Sequence, residues 1–379
     1  MTETRARVAH ARAPDFAIEA VDWRTMADDT VAWDALALCA AEPNPFFESW
    51  YLLPSLRAFD ADSSIRLLRF EVGGELAGLM PIARNRRYYR HPIPNLSNWL
   101  HDNAFLGAPL VAAGLEREFW RTLLTWADGH AGLGLFLHLA QIPLDGPLKS
   151  ALDIVLAEQA RTSGEVHRED RALLDSFESP ETYFEAALSG KKRKELRRQF
   201  SRLSELGDVS FERRDDIEGL EDWIHAFLAL EKAGWKGLAG SALASDRRTA
   251  TLFAQGLRGA GARGRLERLT LALDGKPIAM LATFLTPPGA YSFKTAFDED
   301  FARFSPGVLL QRENLAILNR AGIDWTDSCA AADHPMIDHL WRERRAIGHL
   351  SIAIGGKLRR AAFARLLAIE LGRKSVERT

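Results

Sequence analysis

Apolar and polar positions change period several times along the chain, and each change marks an element. Residues 16–23, "FAIEAVDW", alternate as a strand does, and 28–42, "DDTVAWDALALCAAE", place apolar residues at helical spacing behind an Asp-rich head. Residues 65–83, "IRLLRFEVGGELAGLMPIA", predict strand, Gly-Gly turn, strand. An irregular Pro- and Asn-rich stretch (91–109) follows, then a helix near 115–128 and a buried strand over 133–141. A helix near 147–162 and an extended piece near 165–177 complete this half. The second half opens with one helix expected from Ser179 to a stop at Gly207, capped by Ser179-Pro180-Glu181. A strand near 208–214 and helices over 217–237 and near 245–260 follow. Residues 268–285, "RLTLALDGKPIAMLATFL", again give strand, tight turn, strand.

The two hairpins align. Gly73 falls on Asp274 and Gly74 on Gly275, a constant offset of 201 residues (274 − 73). Each hairpin is followed by an irregular stretch, a helix (115–128; 306–321) and a strand (133–141; 322–329). The common order predicts an α/β fold with two similar units, 15–175 and 176–356, and a basic tail helix over 357–379. Reuse of a common α/β order by chance is the competing explanation. Two like units meeting along a cleft would make that cleft the natural ligand site.

Composition narrows the function. A chain of 379 residues with 47% hydrophobic and 26% charged residues is a foldable globular protein of about two domains. The 49 Lys+Arg against 51 Asp+Glu leave a formal charge of −2, so no duplex nucleic-acid coat is expected. Two cysteines, Cys39 and Cys329, suit a reducing compartment. The start, "MTETRARVAHARAPDF", has no apolar run of a signal peptide, and 277–293 is broken by Pro287, Pro288 and Gly289, so a cytoplasmic protein is expected.

The helix start "FSPGVLLQRENL" offers Ser305 as cap, Pro306 in the first turn and Gly307 where bulk would block outward amides. With Val308 and Leu309 it makes a seat for a phosphate or pyrophosphate, or simply a well-capped helix. Lys191, Lys192, Arg193, Lys194, Arg197, Arg198 and Arg202 crowd one helix against Glu195. Four-spacing aligns Arg193 with Arg197 for a diphosphate or polyanionic glycan, and a solvated face is the plain alternative. Tyr291, Lys294, Asp298, Glu299 and Asp300 lie beside the proposed seat, and Glu231, Trp235 and Lys236 meet at a helix end, where Trp is usually core and Glu usually solvent. Asp327, Asp333, His334, Asp338 and His339 lack paired histidines at four-spacing, so no metal is expected. In the tail, Leu358, Ala362, Phe363, Leu366, Leu367 and Ile369 form an apolar side opposite cations, as on helices that lie on a membrane surface or as on a terminal helix packed against the second unit.

The order "SGKKRKELRRQFSRLSELG", "LEKAGWKG", "GKPIAMLATF", "YSFKTAFDEDFARFSPGVLL", "IDWTDSCAAADHPMIDHLW" over residues 180–345 resembles the GNAT-like acyltransferases named for cellulose biosynthesis, the CelD/BcsL family, which is related to FemAB-type peptidyltransferases. "NPFFESWYLLP" (44–54) is similar to that family's N-terminal block. The resemblance implies paired GNAT-type units with mixed sheets flanked by helices. It also implies transfer of an acyl group, acetyl from acetyl-CoA, to an amine or hydroxyl of a sugar or glycan precursor in exopolysaccharide or cell-envelope synthesis. Ser305, Gly307, Val308 and Leu309 then correspond to the cradle of the coenzyme A pyrophosphate. The usual Arg/Gln-x-x-Gly-x-Gly/Ala loop is absent, as in the FemAB relatives that use aminoacyl-tRNA. The chemistry needs a base (Asp298 or Glu299, then Glu231), an acid for the thiolate (Tyr291) and positive charge (Lys236, Lys294). Lys191, Arg193, Arg197, Trp235, Asp327 and His334 complete the expected substrate contacts. FemAB-like aminoacyl transfer and a regulatory module binding an anionic nucleotide or a membrane are the alternatives.

Overall fold

The computed structural model describes residues 15–332, 334 and 336–377. The basic start (residues 1–14), Asp333 and the last two residues of the tail lie outside the described residues. The first half contributes strands β1 (Phe16–Asp22), β2 (Arg66–Val72), β3 (Glu75–Asn85), β4 (Asn95–Asn98), β5 (Leu110–Val111), β6 (Phe136–Pro143) and β7 (Ser163–Leu174). The second contributes β8 (Val209–Arg214), β9 (Leu266–Leu273), β10 (Lys276–Thr286), β11 (Gly289–Phe297), β12 (Trp325–Asp327) and β13 (Glu343–Ala353).

Both predicted hairpins form, and for the same reason. Gly73 and Gly74 have φ of 62° and 89°, and Asp274 and Gly275 have 49° and 75°. Positive φ at both central positions is what a two-residue hairpin turn demands, and glycine adopts it without strain.

One mixed sheet runs through the molecule in the order β1-β2-β3-β4-β6-β13-β7-β12-β11-β10-β9-β8, with β5 paired to β3. The order reads alike from either end once β8–β13 are set over β1–β4, β6 and β7. In each half one neighbouring pair is parallel, β4 with β6 and β11 with β12. The last strand of each half crosses over. β7 pairs with β12 of the second half, β13 pairs with β6 of the first, and the two exchanged strands join from Glu343↔Leu173 to Ile352↔Ser163. Apolar side chains of both halves share the largest of three buried clusters among the described residues, in which Phe46 and Tyr51 pack on Phe284 and Phe293. A second cluster, with Leu309, Leu310 and Trp341, lies in the second half against Ala172 and Leu174.

Several helices differ from expectation, and the one expected over 217–237 is Leu220–Ala233 and Trp235–Leu238, broken at the extended Gly234. The single helix over 179–207 is two, Pro180–Ala187 and Gly190–Ser204, because Ser189 breaks the first and caps the second through Lys192 N–H. The helix expected over 306–321 is Pro306–Asn314 followed by a tighter turn, Leu315–Asn319. The tail helix, Lys357–Glu377, buries Phe363 and Leu367 against Phe136, Val166 and Ala353, so the centre of its apolar side is taken by the protein itself. Leu358, 90% exposed, stands outside that contact.

Candidate functional site

Parallel strands that start side by side can diverge, and the two parallel pairs of this sheet end differently. In the first half, the wedge beyond Leu96↔Leu137 and Ser97↔His138 is closed. Asn98 Nδ2 donates to Gly107 O at 3.0 Å and to Ala140 O at 2.9 Å, while its Oδ1 accepts from Ala140 N at 2.8 Å. Gly107 is needed there, since a Cβ would lie 2.0 Å from Ala140 O. The following helix, Glu116–His130, carries Glu116 and Glu118 in its first turn, which opposes an anion at that end.

In the second half the wedge is open. Pairing of β11 with β12 stops at Tyr291↔Asp327. Residues Ser292–Phe297 and Ser328–Ala331 then line the two sides of a cavity of about 340 Å³. β11 carries a bulge at Phe293, which has no partner across β10, and bulges beside sites re-aim neighbouring side chains. Lys294 Nζ lies 4.9 Å from the centre of the Phe105 ring, so the first half supplies a wall of the cavity. Burial, with Lys236 nearby, brings the Lys294 amine down to about 8. Ser292 is only 4% exposed, and its Oγ has no hydrogen-bond partner. The His334 imidazole also lines the cavity with Nδ1 unpartnered, and burial lowers its basicity.

Several expected residues meet here. Glu231, a candidate base whose residue type alone suggested solvent, is buried (5% exposed); its carboxylate accepts from Lys236 Nζ at 3.0 Å and from Leu243 N at 2.8 Å. Trp235, an expected substrate contact whose residue type alone suggested the core, is 57% exposed at the cavity mouth. Its backbone N–H donates to Glu299 Oε1 at 2.7 Å, which latches this corner onto the segment after β11.

Other assignments are corrected. Asp298 is outside the cavity lining: it accepts from Asp300 N at 3.1 Å, pairs with Lys276 at 3.6 Å, and so caps a turn. Tyr291 is fully buried and donates its hydroxyl to Pro43 O at 2.5 Å; burial raises its phenol far above the ordinary value, which removes it as an acid for a thiolate. Asp327 is fully buried between Arg171 Nε (3.1 Å) and Arg345 (3.2 Å), and Arg345 also bonds Glu42. Arg171 in turn donates to Phe105 O at 2.8 Å. That network braces the cavity from behind, out of reach of a ligand. Arg193 and Arg197 share a separate hollow with Arg312, on the far part of the 306–314 helix, and Lys191 is exposed outside both.

The helix start at Ser305 is partly covered. Ser305 adopts φ 54° and its side chain makes no capping bond. Gly307 is buried beneath Met336, and a Cβ there would lie 2.4 Å from Met336 Sδ. Met336 separates the cavity from a second hollow of about 230 Å³ lined by Ser305, Val308 and Lys192, while Leu309 faces the core. Phe105 and Ser292 were not read from the sequence. Ser292 had a signal, two positions before Lys294 on one strand; Phe105, nearly two hundred residues away, had none. Among the described residues no group of three or more His, Cys, Asp or Glu is placed to hold a metal ion, and no helix is long and apolar enough to cross a membrane.

Residues 190–334 match the acetyltransferase (GNAT) domain family. A search by sequence among characterised proteins gives no match. Among solved structures the chain is similar to a conserved protein of unknown function from Bacteroides thetaiotaomicron, at 12% identity over 89% of this chain and 100% of that one, TM-score 0.57. It is also similar to the C-terminal domain of a putative lysylphosphatidylglycerol synthetase from Agrobacterium fabrum (14% identity, 90% and 97% covered, TM-score 0.54). FemX is similar at 12% identity, with 84% and 94% covered and a TM-score of 0.53. Identities this low speak for the fold alone, a mixed α/β fold built on one large sheet, in which residues 190–334 are the part that matches the GNAT domain.

Proposed function

We propose that the protein transfers an acyl group, acetyl in the simplest case, from acyl-CoA to an amine or hydroxyl of a sugar or glycan precursor, in the cytoplasm. The observation that carries this reading is the open wedge between β11 and β12, with a lysine amine and the unpartnered Ser292 hydroxyl inside it. The resemblance to the CelD/BcsL acyltransferases supports the same reading and points to exopolysaccharide or envelope synthesis.

Coenzyme A would supply an acyl group activated as a thioester. The backbone edge of Ser292–Phe297, unpaired on the β12 side, suits the amide groups of its extended arm. Ser292 Oγ stands ready for a further hydrogen bond to it. Lys294, protonated below about pH 8, faces the cavity with positive charge where an oxyanion develops. His334, kept neutral by burial, has a free Nδ1 to take the acceptor's proton. Glu231 and Glu299 hold Lys236 and Trp235 in place at the mouth, and the exposed indole offers a face to the apolar side of a sugar ring.

Met336 over Gly307 favours a second reading, in which the anionic part of the donor lies away from the helix start, as for aminoacyl-tRNA. Calorimetric titration of the full chain with coenzyme A, alongside isotope-labelled acetyl-CoA and charged tRNA as donors, separates the two. Coenzyme A binding with label transfer from acetyl-CoA is expected; transfer from charged tRNA alone would overturn the acyl-CoA reading.

A further inference from the structure

Two lysines line the same cavity and differ in what they touch. Lys236 is engaged by the Glu231 carboxylate at 3.0 Å. Lys294 has no salt bridge or hydrogen bond among the described residues; its Nζ lies against the Phe105 ring at 4.9 Å and the Phe293 ring at 5.8 Å. Nothing in the fold spends this amine, and it stands in the wedge where a thioester would lie.

We propose that Lys294 is a self-acylation site, whose amine takes the acyl group of a thioester bound in the wedge when no acceptor occupies the cavity. The proposal rests on the acyl-thioester reading above. In the step, the unprotonated Nζ attacks the thioester carbonyl, a C–N bond forms and the C–S bond breaks with its electron pair on sulfur. The proton released from nitrogen goes to the thiolate, so free thiol and an acylated lysine result, with no oxidation or reduction.

The surroundings permit that chemistry near neutral pH. The charged and titratable groups around Lys294 are Lys236 and Glu231 from the helical corner, Cys329 and His334 beyond β12, Glu299 after β11, and Asp102 and His101 from the first half. Burial and Lys236 lower its affinity for a proton; Glu231, Cys329 and Asp102 oppose this and do not restore the ordinary value. With the amine titrating at about 8, a substantial fraction is neutral at pH 8, whereas an exposed lysine is almost wholly charged there. An acylated Lys294 has lost its charge and cannot face an oxyanion, so the modification halts transfer. Scarcity of acceptor would thereby switch the protein off.

The test incubates the full chain with acetyl-CoA and no acceptor at pH 7 to 9, followed by peptide mass mapping. A parallel arm uses N-hydroxysuccinimidyl acetate, which needs no coenzyme site, and coenzyme A binding is measured separately by calorimetry. The expected result is acetylation concentrated on Lys294, on the order of tenfold faster than on exposed Lys191 or Lys192, rising through pH 8 and absent in Lys294→Arg. Coenzyme A binding with Lys294 unmodified, or acetyl spread evenly over surface lysines, overturns the proposal and leaves the donor reading intact. Absence of coenzyme A binding, with Lys294 reacting only with the succinimidyl ester, overturns the donor reading and the self-acylation together.

Discussion

Lys294 and His334 set opposite limits on pH. The burial that lowers Lys294 from 10.5 to about 8 moves the loss of its positive charge into the working range. Transfer that needs the charged form therefore falls as pH rises through 8. In Lys294→Arg the charge persists throughout, so the alkaline fall in kcat/KM should vanish even where the rate is lower. Lys294→Met removes the charge at every pH and should reduce kcat about 10²- to 10³-fold, the usual effect of losing one group that stabilises an oxyanion. His334 is shifted below 6.5, so its neutral form persists under mildly acid conditions and the acid limb should lie below that value. His334→Ala should remove the limb and cost about 10²-fold in kcat. Steady-state profiles from pH 5 to 10 check each outcome. The sequence exposed Lys294 because a lysine between aromatic residues is visible in "YSFKTAF". It misassigned Tyr291 and Asp298, because whether a side chain faces a cavity or a neighbour's carbonyl depends on contacts with distant segments.

The two wedges are alike as elements and opposite in use. Asn98 closes the first with three hydrogen bonds, so Asn98→Leu should leave the carbonyls of Gly107 and Ala140 unsatisfied. Each buried orphan costs about 1–3 kcal/mol, so the variant should melt earlier by calorimetry while kcat of the folded fraction stays near normal. The open wedge ends at the 306–314 helix, where Met336 lies over Gly307. Met336→Ala joins the hollows on either side, and coenzyme A should bind it more tightly than the original chain in the same titration. The strands, turns and the helix start were legible, because hairpin chemistry and helix-start residues act locally. The break at Ser189 was not, since a serine inside a basic helical run marks a boundary only once the following helix has somewhere else to pack.

At the level of the whole molecule, the repeat was legible and the strand exchange was not. An offset of 201 residues reveals two similar units, yet nothing local tells β7 and β13 to cross over. What holds the crossing is chemistry remote in sequence. Asp327 on β12 bonds Arg171 on β7 and Arg345 on β13, and Arg345 reaches Glu42 of the first half. Buried charges are stable only while matched, so Asp327→Asn should cost about 3–5 kcal/mol and loosen Phe105, which Arg171 holds through its carbonyl. The same reasoning applies to the chain cut between residues 175 and 176. The 176–379 fragment would keep β12 and β13 but lose β7, which lies between them. An unpaired strand on each side of that gap is an invitation to aggregate. The fragment alone should therefore show no cooperative thermal transition, and co-production with residues 1–175 should restore one transition for both pieces together. A sharp, independent melt of 176–379 would mean that the second unit carries its own closed sheet edge, and that β7 is dispensable to the wall on which the cavity rests.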